Sequence, residues 1–100
     1  MDDQEPQEFV WAFNGENSNF PSGVFRSRPQ AEEWIRKYQL CGVLTKFPVG
    51  VSVYDYAVAQ EWFMPIQEHQ RSPKFIQQFS SASLEHFHYD DEFHASQEGH

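Results

Sequence analysis

Little in this sequence marks a familiar chemistry. There is a single cysteine, Cys41, so no internal disulfide can form and nothing points to an oxidising compartment. The few glycines never form a phosphate-cradling loop, because Gly15 and Gly23 stand too far apart. No apolar run approaches the ~20 residues that a membrane helix needs, and the acidic start Met1–Gln7 is the reverse of the basic start of a secretory leader. A cytoplasmic protein without a membrane partner is the expectation. Cations are scarce as well: seven Lys and Arg face fifteen Asp and Glu, for a net charge of −8. None of the seven lies in residues 1–8 or 81–100. Without a basic stripe to displace counterions from a phosphate backbone, nucleic acid is excluded as a partner.

What the sequence does hold is aromatic and unevenly charged. Aromatics make up 17% of its 100 residues, with ten Phe and three Trp, which suffices for the core of a single domain and rules out a chain too polar to fold. The acids gather at the ends: Asp2, Asp3, Glu5 and Glu8 at one, Glu85, Asp90, Asp91, Glu92 and Glu98 at the other. The body between is near neutral. Such a pattern suits a basic protein partner, and it also serves solubility.

The clearest element is Phe20 to Tyr38, a turn, a short strand and an amphipathic helix. Ala31, Trp34, Ile35 and Tyr38 fall at i, i+3, i+4 and i+7 and share one face. On the other face, Glu32 can meet Arg36 and Glu33 can meet Lys37. Ser27 with Gln30 reads as a capping box, whereas Pro29 at the first helical position moves the cap to Arg28. Before it, Phe9–Phe13 alternates as a first strand with Phe9, Trp11 and Phe13 on one side, then Asn14-Gly15 turns the chain and Val24–Arg26 resumes as a second. Gly42–Phe47 is a third strand. Ser52 with Asp55 opens a helix over 52–62, on which Tyr54, Val58 and Trp62 repeat at i, i+4 and i+8. Trp62-Phe63 read as mostly core, though Phe63-Met64 can remain exposed as a sticky edge, and Pro65–Gln70 is an exposed link. Ser72-Pro73 starts a short third helix with Phe75, Ile76 and Phe79 on its apolar edge. Ser83–Tyr89 reads as a strand with Glu85, Phe87 and Tyr89 on one face and Leu84, His86 and His88 on the other. The expected fold is therefore α+β, a single-domain small antiparallel sheet in the order β-β-α-β-α-α-β with helices packed on one face. Residues 1–7 are an expected disordered lead-in, 8–89 the domain, and 90–100 an acidic, His-containing tail.

No catalytic constellation stands out. His86-x-His88 places two imidazoles on one side of a strand, where they can share a metal ion, with Asp90, His94 or His69 as further donors. Cys41 between a helix and a strand reads as a buried structural thiol, and adjacent acids in a tail, Asp90 and Asp91, lack the locked geometry of catalysis. Surface chemistry remains: Asp55, Glu85, Asp90 and Asp91, with Trp62, Phe87 and Tyr89 as apolar anchors, form a candidate partner-binding set.

The pattern VWAFNG, FPSGVF, AxxWI, VYDYA and EHFHY over residues 9–90 resembles a family of small, largely uncharacterised bacterial domains. In style that family is similar to immunity proteins encoded beside bacterial toxins, including those of contact-dependent inhibition systems. The resemblance implies a binding protein rather than an enzyme: an inhibitor that covers the basic active site of a cognate toxin, a nuclease above all. It implies no cofactor, and a monomer or weak dimer when free. Two alternatives stay open, a metal-binding protein or metal-dependent enzyme using His86 and His88, and an adaptor whose sheet edge pairs with another chain.

Overall fold

The computed structural model describes residues 6–90 and 95–96. Five strands form one antiparallel sheet: β1 (Phe9–Gly15), β2 (Pro21–Phe25), β3 (Gly42–Pro48), β4 (His86–Tyr89) and the two-residue β5 (Ala95–Ser96), in the order β2-β1-β3-β4-β5. Helix α1 (Arg28–Tyr38) lies between β2 and β3, and α2 (Val53–Ala59), a 3-10 turn at Glu68–Arg71 and α3 (Pro73–Gln77) lie between β3 and β4. The fold is α+β, as the sequence indicates.

Alternation along the strands decides which side chains meet α1. In register, Phe13 stands beside Leu44 and Leu44 beside Phe87, while Trp11 faces Phe25 across β2. These residues with Tyr89 receive Ala31 and Ile35 from α1, and Phe25, Trp34 and Leu40 pack around them. Phe13, Ile35 and Leu44 are fully buried, each contributing about 1.5–3 kcal/mol in lost water contact. Trp34 meets Phe13 edge-on at 5.7 Å and Phe25 at 5.4 Å, closing the β2 side of the core.

The ends of α1 settle its boundaries. Ser27 is the N-cap, its hydroxyl accepting the Gln30 N–H at 3.3 Å, while the Gln30 side chain accepts from the backbone of Arg26. At the other end Gln39 adopts φ 55°, and the Leu40 and Gln39 N–H groups return to the carbonyls of Ile35 and Arg36. That is a Schellman stop with glutamine where glycine is usual. Of the two expected ion pairs on α1, Glu32–Arg36 forms at 3.4 Å. Lys37 turns instead to the Tyr38 ring, 5.3 Å from its centroid.

Three expectations need correction. The second helix ends at Ala59 rather than 62, because Glu61 turns left-handed (φ 65°) and closes another Schellman stop through Trp62 N–H to Ala57 O and Glu61 N–H to Val58 O. Residue Gln7, placed in the lead-in, is tied to the domain by hydrogen bonds to the carbonyls of Glu8 and Val49. The stretch after Tyr89, expected as a tail, contributes β5, with Ala95 opposite Tyr89 and Ser96 opposite His88.

Candidate functional site

Between β3 and β4 the chain builds a second aromatic cluster of its own. Ser52 caps α2 through the Asp55 N–H at 2.9 Å, and Ser72 caps α3 through the Phe75 N–H at 3.2 Å. Tyr54, Phe63, Phe75 and Phe79 then meet within one another's reach: Phe63 stacks on Phe75 at 5.7 Å and lies 4.9 Å from Phe79, which meets Tyr54 edge-on at 5.4 Å. The Tyr54 hydroxyl donates to Gln70 O at 2.8 Å and ties α2 to the 3-10 turn. Trp62 packs edge-on against Tyr56, and Tyr56 against Phe9 of β1, so the module is joined to the sheet on the face that carries α1.

With Phe63 fixed inside that cluster, alternation in the extended stretch that follows turns its neighbours outward. Trp62 is 40% exposed, Met64 69% and Ile66 75%, with Val58 and Ile76 at the border. Large apolar side chains facing outward beside a packed ring cluster form an apolar projection. Residues 53–70 carry the exposed acids Asp55, Glu61 and Glu68 and no Lys or Arg, while Lys46 shares a groove with Trp62, and Arg71 and Lys74 follow on the 3-10 turn and α3.

The sheet face opposite α1 stays half-open. Val10, Val43, Thr45, Phe47, His86 and His88 alternate onto it, all half-buried, and Val24 is 62% exposed. At one end this face leads into a cleft of about 590 Å³ lined by Asn14, Glu16, Cys41, His88 and Asp90 among others. Cys41, expected to be buried, is thus half-buried at a cleft wall. His86 and His88 sit side by side, ring centroids 5.4 Å apart and planes at 74°, and His86 Nδ1 lies 2.7 Å from Leu84 O. Among the described residues no group of three or more His, Cys, Asp or Glu is placed to hold a metal ion. His69 stands elsewhere, edge-on to Phe75 in the aromatic module.

Glu32 joins α1 to β4. Its carboxylate accepts from the Tyr89 hydroxyl at 2.6 Å, from Arg28 at 3.0 Å and from Arg36 at 3.4 Å. The Arg28 guanidinium lies 3.7 Å over the Phe87 ring. Burial alone would raise the Glu32 carboxyl, but hydrogen bonds from Tyr89 and Arg28 and the charges of Arg28 and Arg36 outweigh it and hold the group below its ordinary value. The Tyr89 hydroxyl is pushed far above its usual range, first by burial and then by its bond to that carboxylate.

A family model described as "Domain of unknown function (DUF7710)" matches residues 10–95, which takes in β1 but for Phe9, β2 to β4 and every described helix. The chain belongs to that family. No curated protein and no solved structure matches it.

The residues singled out in the sequence are dispersed by this fold. Phe87 and Tyr89 are core, 8% and 4% exposed, and engaged by Arg28 and Glu32, so neither presents a ring at the surface. Glu85 pairs with Lys46 at 3.9 Å and shares a small groove with Trp62. Asp90 lies at the far end of β4, five residues on, roughly 16 Å along an extended strand. The acids at 85 and 90 therefore do not form one patch. Asp55 stands exposed on α2, and Asp91 lies outside the described residues. Met64 and Ile66 are exposed, as the sticky edge at 63–64 and the exposed link at 65–70 led one to expect, but Phe63 is drawn into the ring cluster instead. Pro65 between Met64 and Ile66 was the available signal that this stretch is not helical.

Proposed function

We propose that this domain is a protein-binding module that inserts its apolar projection into an apolar cleft bordered by basic residues on a partner protein. The observation that carries this reading is the outward set Trp62, Met64 and Ile66 beside the packed ring cluster. Interfaces draw most of their energy from a few such anchors packed into pockets, with near-neutral contacts around them. The exposed acids Asp55, Glu61 and Glu68 of the same segment supply charge complementarity that steers association with a basic partner. The finer form of the proposal is an immunity-type inhibitor that blocks a toxin enzyme, its acids standing where substrate phosphates bind; the resemblance in style and the acidic charge support it. The exposed edge strand β2 is a less suitable docking site, since Pro21 at its start is a feature that blunts edge pairing.

The test is capture of the separately expressed products of the flanking genes by this chain, at low and high salt. A basic protein held tightly at low salt and more weakly at high salt, and lost at least ~10-fold with the double variant Met64→Ser/Ile66→Ser, is the expected result. Absence of capture at both salts, or capture indifferent to those two substitutions, overturns the reading.

A further inference from the structure

The sheet face opposite α1 carries a feature unrelated to the apolar projection. His86 and His88 stand on adjacent like-facing positions of β4, opposite Thr45 and Val43 of β3. We propose that they form a two-imidazole chelate for a divalent transition-metal ion of the zinc, nickel or copper class.

Spacing is the first support. A metal ion ~2.0–2.1 Å from one nitrogen of each ring, at a near-tetrahedral angle, sets the ring centroids roughly 5 Å apart. The two rings stand at 5.4 Å with their planes at 74°, a separation compatible with a shared ion. Prior orientation is the second. A carbonyl oxygen can only accept, so the contact between His86 Nδ1 and Leu84 O places the hydrogen on Nδ1. In the neutral ring the free lone pair is then on Nε2, the arrangement in which a backbone carbonyl fixes tautomer and tilt of a metal-binding histidine. Charge is the third. The adjoining cleft brings Glu16 and Asp90 to the His88 side, with no Lys or Arg in its lining, which favours a cation.

Two protein donors leave the remaining positions of the ion to water, since no third side chain is placed to join them among the described residues. The site is accordingly open and exchangeable rather than a closed structural centre, and imidazole donors select the zinc, copper and nickel group over calcium or magnesium.

The experiment is a titration of the tag-free full-length chain with zinc ion alone, followed by the imidazole carbon-bound proton signals and by calorimetry. The expected result is that the His86 and His88 signals shift together and saturate at one zinc per chain. His86→Gln and His88→Gln should each weaken that binding by at least about 10-fold, since each removes one of two ligands and loss of a mere supporting partner already costs about 10–100-fold. Should either variant misfold, the wild-type signals still decide. Zinc shifts confined to other histidines, separate saturation of the two rings, or unchanged affinity in both folded variants overturns the chelate.

Discussion

Tyr89→Phe tests how the helix is held to the sheet. The substitution removes one donor, the hydroxyl 2.6 Å from Glu32, and leaves the ring in the core. Glu32 keeps Arg28 at 3.0 Å and Arg36 at 3.4 Å, so no buried charge is orphaned. The cost is then that of a single hydrogen bond to a charged acceptor, about 1.5–3 kcal/mol. The lower end applies, because the Glu32 side chain is 14% exposed and water can replace the lost donor. At about 4–8 °C per kcal/mol for a domain of this size, Tm should fall by roughly 6–12 °C. Glu32→Gln should cost more, as it weakens all three contacts at once, and the two substitutions together should fall short of their sum by about 1 kcal/mol. The sign of the pH dependence follows from the lowered carboxyl. Its contribution is fully present above the unfolded value near 4.5 and is lost as pH falls through the lower folded value. Urea unfolding of wild type and Glu32→Gln at neutral pH and at successive steps into the acid range reads that difference. A Tyr89→Phe cost below about 0.5 kcal/mol, or the same acid-range loss in Glu32→Gln as in wild type, refutes the reasoning.

Gly42→Ala should destabilise by about 1–3 kcal/mol or more, because the added methyl would lie well inside contact distance of the Asn14 carbonyl oxygen and the Phe13 ring; the urea midpoint reads it. Gln39→Gly should raise stability by about 0.5–1 kcal/mol by relieving a left-handed residue at φ 55°, seen as a Tm increase of a few degrees. Met64→Ser/Ile66→Ser should leave Tm nearly unchanged, within about 0.5 kcal/mol of wild type, since both side chains are largely exposed; a large loss would mean that they pack rather than project.

Local rules made much of this fold legible. Ala31 and Ile35 at i and i+4 marked the buried stripe of α1, and Ser27, Ser52 and Ser72 all cap the helices they precede. Alternation sorted Phe87 and Tyr89 from His86 and His88, but nothing local says which of the two faces looks toward α1. That follows from β4 pairing with β3 in the register Leu44–Phe87. The same long-range step turned two expected surface anchors into core. Glu32 was read as a partner for Arg36 alone, because its bond to Tyr89 spans most of the chain. The early end of α2 was hidden because Glu61, not glycine, occupies the left-handed position.

The register of β3 against β4 also orders the assembly of the molecule. β1 and β2 join across residues 16–20, whereas β3 and β4 join only after the chain has travelled through 49–85. Loop-closure entropy grows by about 0.6 kcal/mol per doubling of length, so closing the longer connection costs about 2 kcal/mol more. The aromatic cluster lies wholly within that connection, and its contacts span fewer residues than the β3–β4 pairing, so it shortens the loop that must close. Packed within that loop, Tyr54, Phe63, Phe75 and Phe79 act as a clasp for the last central strand, so the projection and the closing of the sheet rest on the same four rings.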